Sequence, residues 1–219
     1  MTLVQKEVKA VYLWTTQVRP TWWGGWQPWA NTLLYAPLET DLLNKVDNSS
    51  PTVTGTVSIS WGLWDFQWWQ LVYSMPSATA ITVRTGSFWS NMTSAASWNW
   101  RFMTGAWWTL DMYRRSSWYV GMYWNQEQSD QRNVSLNEWA LWTCTYNGST
   151  WTLYKNAVWK VYNVATGTWS SAQLGLSGSG DGFYWKMSQF IIESVAWSAD
   201  DVKNYYNQTC ENYGLSPIN

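Results

Sequence analysis

The chain has no histidine among its 219 residues, which removes Ser-His-Asp and Cys-His nucleophilic catalysis, the commonest metal ligand and the usual switch near neutral pH. Charge is also scarce. Thirteen Lys and Arg against fourteen Asp and Glu make up 12% of the chain and leave a formal net charge of −1, so nothing draws it to a phosphate backbone or an anionic membrane, and nucleic acid is not an expected partner. Cysteine is limited to Cys144 and Cys210, one in an expected strand and one in an expected helix, which leaves a disulfide and two lone buried thiols both open. The first eighteen residues carry Lys6, Glu7 and Lys9 and no continuous apolar run of about 7–15 residues, so no secretory signal is expected there. No stretch is apolar enough over about 20 residues to enter a membrane. No cofactor and no metal are expected.

Tryptophan is in excess, with 23 residues. Trp22-Trp23, Trp68-Trp69 and Trp107-Trp108 are adjacent pairs, and neighbours on a strand point to opposite faces, so the two members of a pair cannot enter one core. Trp98 and Trp100 flank Asn99 in a Ser/Asn-rich stretch with the composition of a turn. Two readings are open. Real indoles would fill a broad core and an aromatic face. Alternatively, many stand for UGA codons read as glycine: Trp14, Trp22, Trp23, Trp68, Trp69, Trp98, Trp100, Trp107, Trp108, Trp159 and Trp185 fall at turn-like or glycine-like places, and only glycine is free of cost at φ > 0. Trp29, Trp139, Trp142 and Trp197 read as genuine. UGG codons at the first group would exclude the second reading.

Residues 8–13 alternate enough for one short strand, and residues 18–28 read as a linker bounded by prolines. Residues 1–28 are therefore expected to form an N-terminal strand and attachment segment, and residues 29–219 one domain. Short runs at 32–36, 52–59, 70–73 and 80–84, separated by Gly, Pro, Asn or Ser, have the spacing of an antiparallel sandwich. The most readable piece is 137–156, two β-rich runs flanking Asn147-Gly148, a dipeptide that supplies the positive φ values of a tight hairpin turn. Residues 190–195 form a further strand. Ser198 is then placed to cap a helix, with Asp201 three positions later returning the bond and complementing the helix dipole; the helix runs through 202–207 and stops before Gly214 and Pro217.

Trp139, Tyr146-Asn147-Gly148, Leu153-Tyr154-Lys155-Asn156, Ile191-Ile192-Glu193 and Ser198-Ala199-Asp200-Asp201-Val202 with Tyr205-Tyr206-Asn207 together resemble the laminin-G-like, concanavalin-A-type jelly-roll family. The resemblance covers roughly residues 130–215 and extends more weakly back to residues 34–38. It implies an all-β fold, a two-sheet antiparallel jelly-roll sandwich with one short C-terminal helix. Two departures stand out: the family's Asn-Gly after the Tyr is Asn156-Ala157, and Trp185 takes the place of a strand-entry glycine. Residues 12–20, Tyr-Leu-Trp-Thr-Thr-Gln-Val-Arg-Pro, resemble leader segments of phage tail and other virion-associated proteins.

Sandwiches of this kind often bind ligand on an outward sheet face. Along residues 115–125 one parity carries Val120 and Met122, together with Trp118 and Trp124, and should face the core. The other carries Arg115, Tyr119, Tyr123 and Asn125, which could stack on and hydrogen-bond a sugar. An ordinary half-exposed sheet face has the same pattern. Relatives often hold calcium through loop acids, yet Asp41, Asp47 and Asp181 match no fixed calcium loop, and Gln189 stands near the place of an acid on the last strand. A glycoside hydrolase would need a carboxylate pair about 5–10 Å apart. No Glu-x-Asp-x-Glu run exists, and neither Glu127 with Asp130 nor Asp200-Asp201 has the required placement. The chain is therefore read as a non-catalytic module that recognises a glycan or a protein on a virion or bacterial surface, docked through its N-terminal segment. A capsid-decoration or tail structural protein without sugar binding is the alternative, and a glycosidase the minor one.

Overall fold

The β-rich runs become thirteen strands in the computed structural model, which describes residues 28–38, 41–60, 63–74, 85–93, 100–105, 111–114, 119–123, 132–133, 135–147, 150–162, 171–175 and 184–219. In chain order they are β1 (Thr32–Ala36), β2 (Thr52–Ser60), β3 (Leu63–Ser74), β4 (Thr85–Met92), β5 (Trp100–Gly105), β6 (Asp111–Arg114), β7 (Tyr119–Tyr123), β8 (Arg132–Asn133), β9 (Trp139–Tyr146), β10 (Trp151–Lys155), β11 (Val158–Tyr162), β12 (Ser171–Gly175) and β13 (Tyr184–Glu193). A helix, α1 (Ala199–Thr209), and a 3-10 turn, Cys210–Tyr213, follow. The fold is the expected all-β sandwich with one short C-terminal helix.

Hydrogen bonding runs in the order β11-β10-β9-β4-β13-β3-β12-β5-β6-β7-β8, with β1 added beside β13 and β2 beside β3. The two longest strands change neighbours along their length. β13 pairs with β3 over Tyr184–Met187 and with β1 over Phe190–Glu193, while β4 stays on its other side. Strands that switch partners at bulges are how one hydrogen-bonded array supplies two layers. Two bulges do this. Thr54 pairs with Gln70 and Thr56 with Gln67, which sets Trp68 and Trp69 against the single residue Gly55. Ser188 pairs with Trp89 and Ile191 with Ser87, which sets Gln189 and Phe190 against Phe88, and Gln189 takes the left-handed φ of 52° that the kink demands.

β4 and β9 are neighbours inside the array and are buried on both faces, Thr85 to Ser90 and Ala140 to Tyr146 without interruption. One face carries Trp89, Leu141 and Ile191 and is covered by Val202, Tyr205 and Tyr206 of α1 and Cys210 and Tyr213 of the 3-10 turn. Trp89 is fully buried, stacks on Tyr213 (4.1 Å, 19°), and donates its indole N–H to Thr209 Oγ1 at 3.2 Å. Burying such a ring contributes on the order of 3 kcal/mol. The helix begins where the sequence places it. Ser198 Oγ accepts from the Asp201 N–H (3.1 Å), Asp201 Oδ2 accepts from the Ser198 N–H (2.8 Å), and Gly214 ends the following turn at φ 73°. Cys144 and Cys210 are both free, buried thiols rather than a disulfide.

Three local expectations need correction or lie elsewhere. Asn147-Gly148 is not a two-residue turn, because Tyr146 pairs with Trp151 and a four-residue loop intervenes. Asn147 organises it, donating its N–H to Thr150 O (3.3 Å) and accepting the Thr150 N–H on Oδ1 (3.0 Å). The tight turn is Asn156-Ala157, where Lys155 pairs with Val158 and both central residues have positive φ, 49° and 60°. The expected strand at 80–84 lies outside the described residues, and the strand in that region is β4. Among the suspect tryptophans, Trp14, Trp22, Trp23, Trp98, Trp107 and Trp108 lie outside the described residues. Trp159 and Trp185 stand inside strands rather than in turns, and Trp68-Trp69 occupy the bulge.

Candidate functional site

Of the four ligand-binding residues read from the sequence, Tyr119 and Tyr123 open and close β7, while Arg115 and Asn125 lie outside the described residues. Register extends the set. Tyr119 pairs with Asn133 on β8, Gly121 with Tyr113 on β6, Tyr123 with Asp111 on β6, and Tyr113 in turn with Arg101 on β5. Directly paired residues share a sheet face, so the positions of Arg101, Asp111, Tyr113, Tyr119, Tyr123 and Asn133 belong to one face near the end of the array. Val120 and Met122 take the opposite parity. Tyr113 and Arg101 escaped the sequence reading because only the register brings their strands beside β7.

A second candidate lies at the rim of the sandwich, where the end of β4, the start of β9, the β10–β11 turn and the 3-10 turn enclose a cleft of about 280 Å³. Backbone contacts fix its walls. The Asn137 N–H donates to Met92 O (2.6 Å), the Asn156 N–H donates to Leu141 O (2.9 Å), and Asn156 Oδ1 accepts the Leu141 N–H (2.8 Å). The last pair clamps the tight turn against β9. Trp139 leans on Tyr213 at 4.8 Å and 50°, and Lys155 Nζ sits 5.8 Å from the centre of the Trp142 ring. Ser90 lines the cleft and is buried, and its hydroxyl has no hydrogen-bond partner among the described residues. Three lining residues, Asn137 (59°), Asn156 (49°) and Gly214 (73°), hold left-handed φ values. No sequence signal marked this cleft, since its walls come from four separate segments.

The loop acids Asp41 and Asp47 are committed to local structure. Asp41 pairs with Lys45 (2.7 Å) and accepts the Leu43 N–H, and Asp47 accepts the Ser49 N–H, so both serve local turns. Asp181 lies outside the described residues. Gln189, near the place where relatives often carry an acid, accepts the Tyr205 hydroxyl on Oε1 at 2.6 Å, and its N–H donates to Pro37 O. The bulge aims this side chain at α1. Glu193 is fully buried; its Oε1 accepts from Thr32 Oγ1 (2.7 Å), which itself accepts the Trp29 N–H (2.7 Å), while Oε2 has no partner among the described residues. Burial pushes this carboxyl up to about 7, against a smaller lowering from the Thr32 bond. Among the described residues no three His, Cys, Asp or Glu side chains group closely enough to hold a metal.

No protein-family model matches the chain, and no curated protein matches its sequence. Solved structures do match. The binding domain of botulinum neurotoxin DC in complex with rat synaptotagmin II is similar with a TM-score of 0.64 at 12% identity, over 82% of this chain and 52% of that one. The same binding domain in complex with SialylT gives a TM-score of 0.64 at 13% identity, over 82% and 51%. A structure of botulinum neurotoxin type C, concerned with its interaction with two ganglioside molecules, gives 0.62 at 11% identity, over 82% and 51%. The chain thus spans about half the length of these solved chains. At such identity the likeness shows the fold, a β-sandwich also found in toxin binding domains.

Proposed function

We propose that the chain is a non-catalytic binding module that recognises a glycan or a protein on a surface. The observation that carries this reading is the sandwich it shares with binding domains whose ligands include gangliosides, SialylT and synaptotagmin II. The face bearing Tyr119 and Tyr123, with Arg115 and Asn125 beside it in sequence, is the proposed recognition platform. Aromatic planes and a guanidinium fork suit the C–H face and hydroxyl rim of a sugar. Asp41, Asp47 and Asp201 serve turns and a cap and Glu193 is sealed from solvent, so none of these four stands in an open carboxylate pair. On a glycan array the intact chain is expected to give saturable signals that fall about tenfold in a Tyr119→Ala/Tyr123→Ala double variant, the loss of roughly 1.4 kcal/mol of contact. Unchanged signals in that variant would remove the platform.

The leader at residues 12–20, which resembles tail-protein leaders, supports a setting on a virion, with residues 1–28 as the docking segment. A chain starting at Trp29 should then be left out of particles that incorporate the full chain. Equal incorporation would defeat the docking role.

A further inference from the structure

We infer that the rim cleft between β4, β9, the β10–β11 turn and the 3-10 turn binds a single neutral pyranose ring, at a site separate from the β7 face. The inference rests on the carbohydrate reading of the module but not on Tyr119 or Tyr123. Size limits the ligand first: at about 280 Å³ the cleft is just below the range of roughly 300–1,000 Å³ usual for larger ligands, which leaves room for one ring rather than a chain of them. Chemistry limits it next. A pyranose offers an apolar C–H face and a rim of hydroxyls that both donate and accept. The cleft offers the half-buried Trp139 braced by Tyr213 as a flat apolar wall. Around it stand Ser90, Asn137, Glu138, Lys155 and Asn156.

Ser90 provides an independent pointer to a ligand. A buried hydroxyl with no hydrogen bond costs about 1–3 kcal/mol, and one ligand hydroxyl would satisfy it as donor or acceptor. Asn156 has already given its Oδ1 to the Leu141 N–H, which leaves its amide nitrogen as the group that can donate to a ligand. One lysine and one glutamate at the same cleft offset each other, which favours a neutral ring over an anionic one.

The test uses the full chain with the methyl pyranosides of glucose, galactose, mannose and N-acetylglucosamine as probes, read by saturation-transfer NMR and by tryptophan fluorescence. At least one probe should receive saturation on its ring protons. Affinity should fall about tenfold in Ser90→Ala, the value of one lost hydrogen bond to a buried group, and be lost in Trp139→Ala. The Tyr119→Ala/Tyr123→Ala variant is measured beside them to tell the two sites apart. Ser90→Ala deletes a buried hydroxyl without a partner, so its melting temperature should not fall, and a weaker affinity in that variant reports on the cleft and not on folding. Binding that is lost only in the tyrosine variant, or that survives Ser90→Ala and Trp139→Ala, overturns the cleft site while leaving the module a glycan binder. Absence of binding to every pyranoside and every array glycan overturns both.

Discussion

Glu193 shows how much one buried side chain can set. Its carboxyl is held at about 7 because burial penalises the charged form more than the Thr32 hydroxyl favours it. In the unfolded chain the same group titrates near 4.5. Between those values the folded protein keeps a proton that the unfolded protein releases, so stability is fully present below about 4.5, falls as pH rises towards 7, and levels off above it. The size of the effect is on the order of 3 kcal/mol. A chain without histidine has few other groups titrating in that window, so the slope should be readable. Urea midpoints should be higher near pH 5 than near pH 8, and Glu193→Gln should flatten the difference; an equal pH dependence in the variant would assign it elsewhere. Cys144 behaves in the same sense, with burial pushing its thiol up to about 12, which makes it a small apolar residue rather than a reactive one.

The β10–β11 hairpin is the element in which local chemistry and sequence disagree most. Its turn puts both Asn156 and Ala157 at positive φ. Asparagine tolerates this conformation, whereas a Cβ at Ala157 crowds its own backbone by about 1–2 kcal/mol. Ala157→Gly should therefore stabilise the protein by about 1 kcal/mol, less than the relieved strain because glycine also gains freedom in the unfolded chain. A urea titration that shows lower stability would mean that the packing of Ala157 against the core cluster outweighs the strain. Composition alone pointed to Asn147-Gly148, and the resemblance to laminin-G-like strands marked Asn156-Ala157 as the glycine place. The positive φ values fall at Asn156-Ala157, which in the sequence stands only as a departure from that pattern. Elements with one wet face or a capping signal were legible, as with β1 at Thr32–Ala36 and the helix after Ser198. β4 was not, because burial on both faces erases the alternation on which a strand reading depends. β3 was read only in part, since the Trp68-Trp69 bulge breaks its period.

At the scale of the molecule, the chain closes its central layer last. β13 sits between β4 and β3, adds β1 on its upper half, and arrives after residue 184. Such long-range pairing makes folding slow, in the range of milliseconds to seconds. A chain ending before Tyr184 should show no cooperative urea transition and should bind a hydrophobic dye; a sharp transition would place the stability in the other strands. The cleft was illegible for a related reason, because Ser90, Asn137, Asn156 and Tyr213 meet only once the register and the 3-10 turn are in place. The order of strands also stops at β11, beside which no further strand pairs among the described residues. A strand at the margin of a sheet presents a row of backbone donors and acceptors to any extended chain that approaches. Val158 is 54% exposed there, and the strand reads Val-Trp-Lys-Val-Tyr, with Lys160 as its one charge. A lone charge in such a strand sequence disfavours edge-to-edge pairing, so Lys160→Gln should lower solubility at high concentration before it lowers stability.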